Sequence, residues 1–195
     1  MTTAVLLASL LAAGPLDTVE SQVLRFRGAT LDKSWKCSAV VLSDGYALTA
    51  AHCVDEPGAE FTIAGRTAEA VKKNRILDIA VVRFLAKDAV PMPLAPSTPS
   101  VGAEVAIAGF AAGMPDLYLQ FGHVARPRDP DGQLVLNVEA FHGDSGGAVL
   151  DKRGRLVGII SARYDDGGGA TFTYAIPVDQ IRDFAAEYLP KAHTP

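Results

Sequence analysis

The chain has 195 residues, of which 49% are hydrophobic and 21% are charged, and its formal net charge is −4. This length suffices for one domain or two small ones with a sizeable core, and the composition excludes a disordered chain. The negative net charge excludes a general attraction to nucleic acid or to anionic membranes.

The first 20 residues contain an apolar run, Ala4 to Ala13, that has the length of a signal-peptide core and is too short to span a bilayer. No Lys or Arg precedes the run, and the small residues that end it lead straight into Pro15. Residues 1–20 are therefore predicted to be a signal peptide or an N-terminal segment that forms a short helix in the folded domain.

Short apolar runs between turn residues dominate the rest of the chain and predict β-strands. In the first half the predicted strands are Val23–Phe26, Ala39–Leu42, Ala47–Ala51, Phe61–Ala64 and Ile79–Leu85. A proline-rich stretch, about 89–100, follows, and because proline cannot donate to a central sheet, this stretch is predicted to connect two halves.

A second series of strands is predicted after the connector, and the pattern as a whole favours two antiparallel barrels. These strands are Glu104–Ala108, Leu117–Val124, Leu134–Val138, Ala148–Leu150, Leu156–Ser161 and Thr171–Ile176. The apolar spacing of Val178 to Leu189 then predicts a closing C-terminal helix.

Two short motifs carry the chemistry of the sequence: Leu-Thr-Ala-Ala-His-Cys at 48–53 and Gly-Asp-Ser-Gly-Gly at 143–147. Ser145 stands between small residues on a predicted tight turn, and its hydroxyl needs a neighbouring base to become a nucleophile. His52 is the candidate base, and Asp78 is the candidate that orients its imidazole. Taken singly, His52 could be a hydrogen-bonded core histidine and Asp78 a surface carboxylate at the start of a strand.

These segments, in the chain order His, Asp, Ser, resemble the trypsin/chymotrypsin-type serine peptidases. Gly158–Ser161 and Tyr174–Pro177 are most similar to compact bacterial trypsin-like and HtrA-like peptidases, and no PDZ domain is expected after the C-terminal helix. The resemblance, which covers about Cys37 to Tyr188, implies an all-β, chymotrypsin-like fold of two antiparallel six-stranded-type barrels and a C-terminal helix. The first barrel would occupy about 21–88 and the second, with the helix, about 101–190.

The resemblance also implies the role of each site residue. Ser145 would attack the substrate, His52 would move the proton, Asp78 would orient His52, and the N–H groups of Gly143 and Ser145 would form the oxyanion hole. The residues that it implies for substrate binding are Glu139, His142, Ser161, Ala162, Arg163 and Phe172. The expected partner is a peptide or protein substrate, and no cofactor or metal is expected. A catalytically silent peptide-binding relative and an esterase or acyltransferase remain as alternatives.

Cys37 and Cys53 flank a predicted strand–turn–strand segment, and their positions resemble those of the hairpin-closing disulfide of this family. Such a bridge implies an oxidising compartment, so a secreted or periplasmic protein is expected. The family's Ile-Val-Gly-Gly does not precede Cys37. Activation through a new N-terminus paired with Asp144 is therefore not expected, and Asp144 needs another partner.

By analogy with the family, Glu139 would lie near the base of the primary specificity pocket. An open pocket with this carboxylate would favour cleavage after Lys or Arg. Arg163 could neutralise Glu139, however, and the bulky ring of Phe172 could narrow the pocket for small apolar residues. The sequence does not decide between the open and the narrow pocket, and it slightly favours the narrow one.

Overall fold

The computed structural model describes residues 14, 16, 18–85, 89–165 and 171–190. A short helix, α1 (Val19–Gln22), precedes the first barrel. The strands of this closed antiparallel barrel run in the order β1-β2-β3-β6-β5-β4. They are β1 (Val23–Ala29), β2 (Ser34–Ser43), β3 (Tyr46–Ala50), β4 (Glu60–Ile63), β5 (Arg66–Asn74) and β6 (Ile79–Phe84).

The second half forms another closed antiparallel barrel, with the strand order β10-β11-β12-β9-β8-β7. Its strands are β7 (Glu104–Gly109), β8 (Tyr118–Arg126), β9 (Leu134–Leu136), β10 (Ala148–Asp151), β11 (Leu156–Asp165) and β12 (Thr171–Pro177). The predicted pair of six-stranded barrels is confirmed.

Three apolar cores hold the molecule together: one inside each barrel and one between them. Strand β2 shows how the sequence supplies two of these cores. Ala39 and Val41 point into the first barrel, whereas Val40 and Leu42 pack in the core between the barrels. Both faces of the strand are therefore buried, which explains why its sequence is a continuous apolar run rather than an alternating one.

Strand β5 is the one strand of the described barrels that the apolar pattern does not predict. Its sequence, RTAEAVKKN, is mostly polar, and Ala68 is its only buried residue. Backbone pairing with β4 and β6 keeps it in the barrel. A strand with so little buried surface leaves no hydrophobic signature in the sequence.

The C-terminal helix is shorter than predicted. Helix α2 spans Val178–Phe184, and a single 3₁₀ turn, Ala186–Tyr188, follows it. The chain cannot continue as a helix because Leu189 precedes Pro190, and a residue before proline avoids the helical conformation. Ile181 and Ala185 anchor this segment in the core between the barrels.

The N-terminal prediction falls mostly on residues 1–13, 15 and 17, which lie outside the described residues. Val19, inside the predicted 1–20 segment, is fully buried in the core between the barrels.

The connector contacts both barrels, since Met92 N–H donates to Val41 and Ala95 N–H donates to Leu156. None of the helices in the described ranges has the length and hydropathy that a bilayer crossing requires.

Candidate active site

His52 and Asp78 meet at the edge of the first barrel. His52 lies on a 3₁₀ turn, Ala51–Val54, directly after β3, and Asp78 ends the turn before β6 with a left-handed φ of 55°. The His52 Nδ1 atom lies 2.9 Å from Asp78 Oδ2, and the His52 backbone N–H donates to Asp78 Oδ1 over 2.9 Å. Two contacts from one carboxylate fix both the ring and the backbone of His52.

The turn that presents Asp78 is shaped by its own sequence. The Asn74 side-chain oxygen accepts hydrogen bonds from the N–H groups of Ile76 and Leu77, which closes the turn locally. On the other side, the Ser161 hydroxyl donates to Asp78 Oδ2 over 2.6 Å. Ser161 was predicted only as a substrate-binding residue, so this contact to the carboxylate is a role that the sequence did not indicate.

The contact between His52 and Asp78 shifts the pKa of each residue toward its charged form. The hydrogen bond to Asp78 and the Asp78 charge raise the pKa of His52 above 6.5, although burial of the ring opposes the rise. Burial acts to raise the pKa of Asp78, but the hydrogen bonds from His52 and Ser161 outweigh it and hold that pKa below 3.8. Asp78 therefore stays ionised at neutral pH, keeps the proton of neutral His52 on Nδ1, and leaves Nε2 as the basic nitrogen.

Ser145 lies on the turn between β9 and β10 in the second barrel, flanked by glycines in left-handed conformations. Gly143 has a φ of 102° and Gly146 a φ of 81°. A Cβ at Gly143 would collide with the Phe110 carbonyl, and one at Gly146 would collide with the Ser38 carbonyl. Only glycine fits these two positions, which explains the Gly-Asp-Ser-Gly pattern physically.

The orientation of the peptide before Gly143 follows from one hydrogen bond. The Ala112 N–H donates to the His142 carbonyl over 2.6 Å. Because the carbonyl and N–H of a trans peptide point in opposite directions, the Gly143 N–H points away from Ala112. Among the described residues, neither the Gly143 nor the Ser145 N–H has a hydrogen-bond acceptor, so both are available to an oxyanion.

His52 and Ser145 lie together in the groove between the barrels. Both line an open cleft of about 820 Å³, together with His142 and Gly143. Both also line a neighbouring cavity of about 500 Å³, bordered by β11. No hydrogen bond joins the Ser145 hydroxyl to His52, two residues that the structure describes; in unliganded enzymes such contacts are often long and tighten when substrate binds.

Four of the predicted substrate-binding residues line the same cavity as Ser145. They are His142, Ser161, Ala162 and Arg163, which line the 500 Å³ cavity. Glu139 and Phe172 are not among its described lining residues. Glu139 instead pairs with Arg163, with 3.5 Å between Arg163 Nη1 and Glu139 Oε1, and Phe172 pairs with Tyr164 in the β11–β12 ladder.

The predicted disulfide between Cys37 and Cys53 is present, with 6.4 Å between the Cα atoms. It ties β2 to the turn that carries His52. Both sulfur atoms also lie near the His52 ring, but because they are bonded to each other they are not thiolate ligands for a metal.

Asp144 has a backbone partner rather than a cation. Its side chain is buried, and its Oδ2 accepts a hydrogen bond of 2.9 Å from the Phe141 N–H. Burial raises the pKa of Asp144 to about 6, and within the described chain no Lys, Arg or His pairs with it. The sequence did not identify this partner, because every residue except proline has a backbone N–H and no residue type marks the one that donates.

The comparison with family models decides the family. The model of the trypsin-like peptidase domain matches residues 37–159, more than half of the chain. The chain belongs to this family. The human protein "Serine protease HTRA4" is 29% identical over an alignment of 164 residues that covers 76% of this chain and 34% of HTRA4. A "Serine protease HtrA-like" of Staphylococcus epidermidis is 44% identical over 45 residues, 23% of the chain and 8% of that protein.

The chain spans about a third or less of the length of these curated relatives. Solved structures of other proteases have the same fold as the chain. The serine endoprotease from Yersinia pestis aligns with a TM-score of 0.78 at 21% identity, covering 89% of this chain and 64% of that one. The active form of the Rv3671c protease from M. tuberculosis aligns with a TM-score of 0.77 at 18% identity, covering 88% and 82%. The predicted chymotrypsin-like fold is thereby confirmed.

Proposed function

We propose that this protein is a serine endopeptidase that hydrolyses peptide bonds through Ser145, His52 and Asp78. The observation that carries the proposal is the 2.9 Å contact between His52 Nδ1 and Asp78 Oδ2, in a groove that His52 shares with Ser145. This contact leaves a basic nitrogen available near a nucleophile, which is the arrangement that acyl transfer requires.

The reaction follows from these positions. Ser145 Oγ bonds to the scissile carbonyl carbon while its proton passes to His52 Nε2, and the oxyanion accepts hydrogen bonds from Gly143 and Ser145 N–H. His52 then returns the proton to the leaving amine as the carbon–nitrogen bond breaks. Water then attacks the acyl carbon while His52 takes its proton. As the ester bond to Ser145 Oγ breaks, His52 returns that proton to Ser145 and the acid product leaves.

The substrate would lie in extended form along β11. Strand β10 pairs with β11 only from Leu156 to Ile159, whereas β12 pairs with β11 as far as Asp165. Among the described residues, no strand pairs with the β10-side edge of Ser161–Arg163. A peptide can add to such an edge through its backbone while its side chains enter the adjacent cavity.

Two assays test this function together. A fluorophosphonate should label wild-type protein on Ser145, and a peptide library should show internal cleavage, while Ser145→Ala and His52→Ala should fold normally and lose nearly all turnover. Near-wild-type rates in a clean Ser145→Ala preparation would contradict the proposal. Absence of both labelling and cleavage would favour the silent peptide-binding relative, whereas labelling with cleavage of esters alone would favour the esterase or acyltransferase.

For specificity, we propose that cleavage follows small apolar residues. Arg163 already lies 3.5 Å from Glu139, so the carboxylate that would select a substrate Lys or Arg has a partner within the protein. Both side chains are about 40% exposed, and an exposed pair of this kind is worth at most about 1 kcal/mol. The proposed preference is therefore moderate, and efficient library cleavage after Lys or Arg would overturn it.

We also propose that the protein acts in an oxidising compartment, secreted or periplasmic, with the apolar run Ala4 to Ala13 as the core of an export signal. The Cys37–Cys53 disulfide supports this location because such bonds persist outside the reducing cytosol. Thiol alkylation of protein taken from its own cells should find no free cysteine. Two free thiols would argue against both the bridge and export.

A further inference from the structure

Ser38 is a fully buried polar residue on β2, where the first barrel touches the turn that carries Ser145. Its hydroxyl donates to the Gly143 carbonyl over 2.8 Å and accepts from the Phe110 N–H over 2.9 Å. Its backbone N–H donates to the Ser145 carbonyl over 2.8 Å. One residue of the first barrel thus holds the chain on both sides of the nucleophile.

These contacts bear on the direction of the Gly143 N–H. The Ala112 N–H fixes the peptide that precedes Gly143 by binding the His142 carbonyl, and Ser38 fixes the peptide that follows it. The Ser38 hydroxyl also accepts a hydrogen bond from the N–H of Phe110, the residue at which the loop that carries Ala112 begins. The Ser38 hydroxyl therefore links both supports of Gly143, although it contacts neither His52 nor Asp78.

We propose that Ser38 is a positioning residue for the oxyanion hole, an inference that rests on the peptidase activity proposed above. A glycine with a φ of 102° has wide conformational freedom, so its N–H keeps one direction only if both adjacent peptides are held. A preorganised donor stabilises charge that develops in the transition state far more than it stabilises bound substrate. Ser38 should therefore affect kcat and leave KM nearly unchanged.

The surrounding contacts make a clean test feasible. The Thr49 hydroxyl donates to the Ser38 carbonyl over 2.8 Å, and the Ser38 N–H bond to Ser145 does not involve the side chain. Both contacts remain in Ser38→Ala, which keeps β2 beside the catalytic turn. What the variant loses is the hydroxyl, leaving the half-buried Phe110 N–H and the buried Gly143 carbonyl without their shared partner.

Ser38→Ala should lower kcat by roughly 10- to 100-fold with KM within about twofold, less than the loss of an entire oxyanion-hole donor. Affinity for a peptide boronic acid, which mimics the tetrahedral adduct, should fall by a similar factor. The acidic limb of the kcat/KM pH profile should stay in place because the His52–Asp78 pair is untouched. Ser38→Thr, which keeps the hydroxyl, should recover most of kcat.

The matched control is Thr173→Val, which removes another fully buried hydroxyl, one that donates to the Val138 carbonyl. It should lower thermal stability as Ser38→Ala does and leave kcat within about threefold of wild type. Equal kcat losses in both variants, or a Ser38→Ala effect confined to KM, would overturn the proposal. If Ser38→Ala does not fold, Ser38→Gly should show the same loss of kcat.

The same assays separate this inference from the proposed function. An active wild type, an inactive Ser145→Ala and a fully active Ser38→Ala would refute only the role of Ser38. A wild type that neither cleaves peptides nor reacts with fluorophosphonate would refute the peptidase activity itself.

Discussion

The two barrels hold the proposed catalytic groups in different ways. In the first barrel, charge and a covalent bond hold His52: the Asp78 carboxylate binds its ring and backbone, and Cys53 beside it is bridged to Cys37. In the second, glycine conformations and hydrogen bonds to backbone groups hold the turn of Ser145. The difference follows from the chemistry, since a base needs a tuned pKa whereas an oxyanion hole needs only N–H groups that point correctly.

The largest expected effect comes from removing the Asp78 charge that holds His52 in the first barrel. Asp78→Asn should lower kcat/KM by about 10⁴-fold, because the amide cannot hold the proton of His52 on Nδ1. The acidic limb of the pH profile should also move to lower pH, since Asp78 raises the pKa of His52 and the rate requires the neutral ring.

Asp55→Asn is the matched control for Asp78→Asn. Asp55 is a second carboxylate of the first barrel whose charge acts on His52, but it pairs with Lys73 and Arg75. Steady-state rates from pH 5 to 9 should change by less than about threefold in this variant. Equal losses in the two variants would show that general negative charge, not the Asp78 contact, tunes the base.

The covalent side of the comparison is tested by removing the disulfide. Cys37→Ala combined with Cys53→Ala should lower the free energy of unfolding by about 3 kcal/mol, because the open chain regains the entropy of a loop of about 15 residues. Urea denaturation, with the reduced wild type as control, measures the change. A loss below about 0.5 kcal/mol would mean that packing alone holds the His52 turn.

In the second barrel, the buried Asp144 should make stability depend on pH. Its folded pKa of about 6 exceeds the ordinary 3.8, so the folded state binds a proton more tightly than the unfolded chain and loses stability as pH rises from about 4 to 6. Asp144→Asn keeps an acceptor for the Phe141 N–H and removes this penalty. It should gain at most about 3 kcal/mol over wild type above pH 6.

Denaturation midpoints of both proteins from pH 4 to 8 test this prediction. The two curves should meet near pH 4 and separate as the pH rises. Curves that stay parallel across this range would show that ionisation of Asp144 has no folding cost.

The smallest effect concerns specificity. Arg163→Gln frees the Glu139 carboxylate, so cleavage after Lys or Arg should rise by up to about fivefold relative to cleavage after small apolar residues. Glu139→Gln with Arg163→Gln is the control and should lose that gain. The ratio of kcat/KM values for paired peptide substrates is the measurement, and an unchanged ratio would exclude Glu139 from the pocket.

The sequence predicted the parts of this molecule that leave a local signature. Continuous apolar runs marked β2 and β3 because both of their faces are buried. The mostly polar β5 escaped prediction, and so did the contacts of Ser38, which reach 72 and 105 residues along the chain to backbone atoms. Phe172 was expected to narrow the pocket from family analogy alone, and the described cavity is lined without it.

The core between the barrels also has a consequence for a cleaved chain. Val40 and Leu48 from the first barrel share that core with Leu156 and Ile176 from the second, and the connector lies between residues 85 and 104. A nick in this connector would leave each half with a broad apolar face that water disfavours. The halves should therefore reassociate, so the domain would behave as a split protein whose activity returns when the two fragments are mixed.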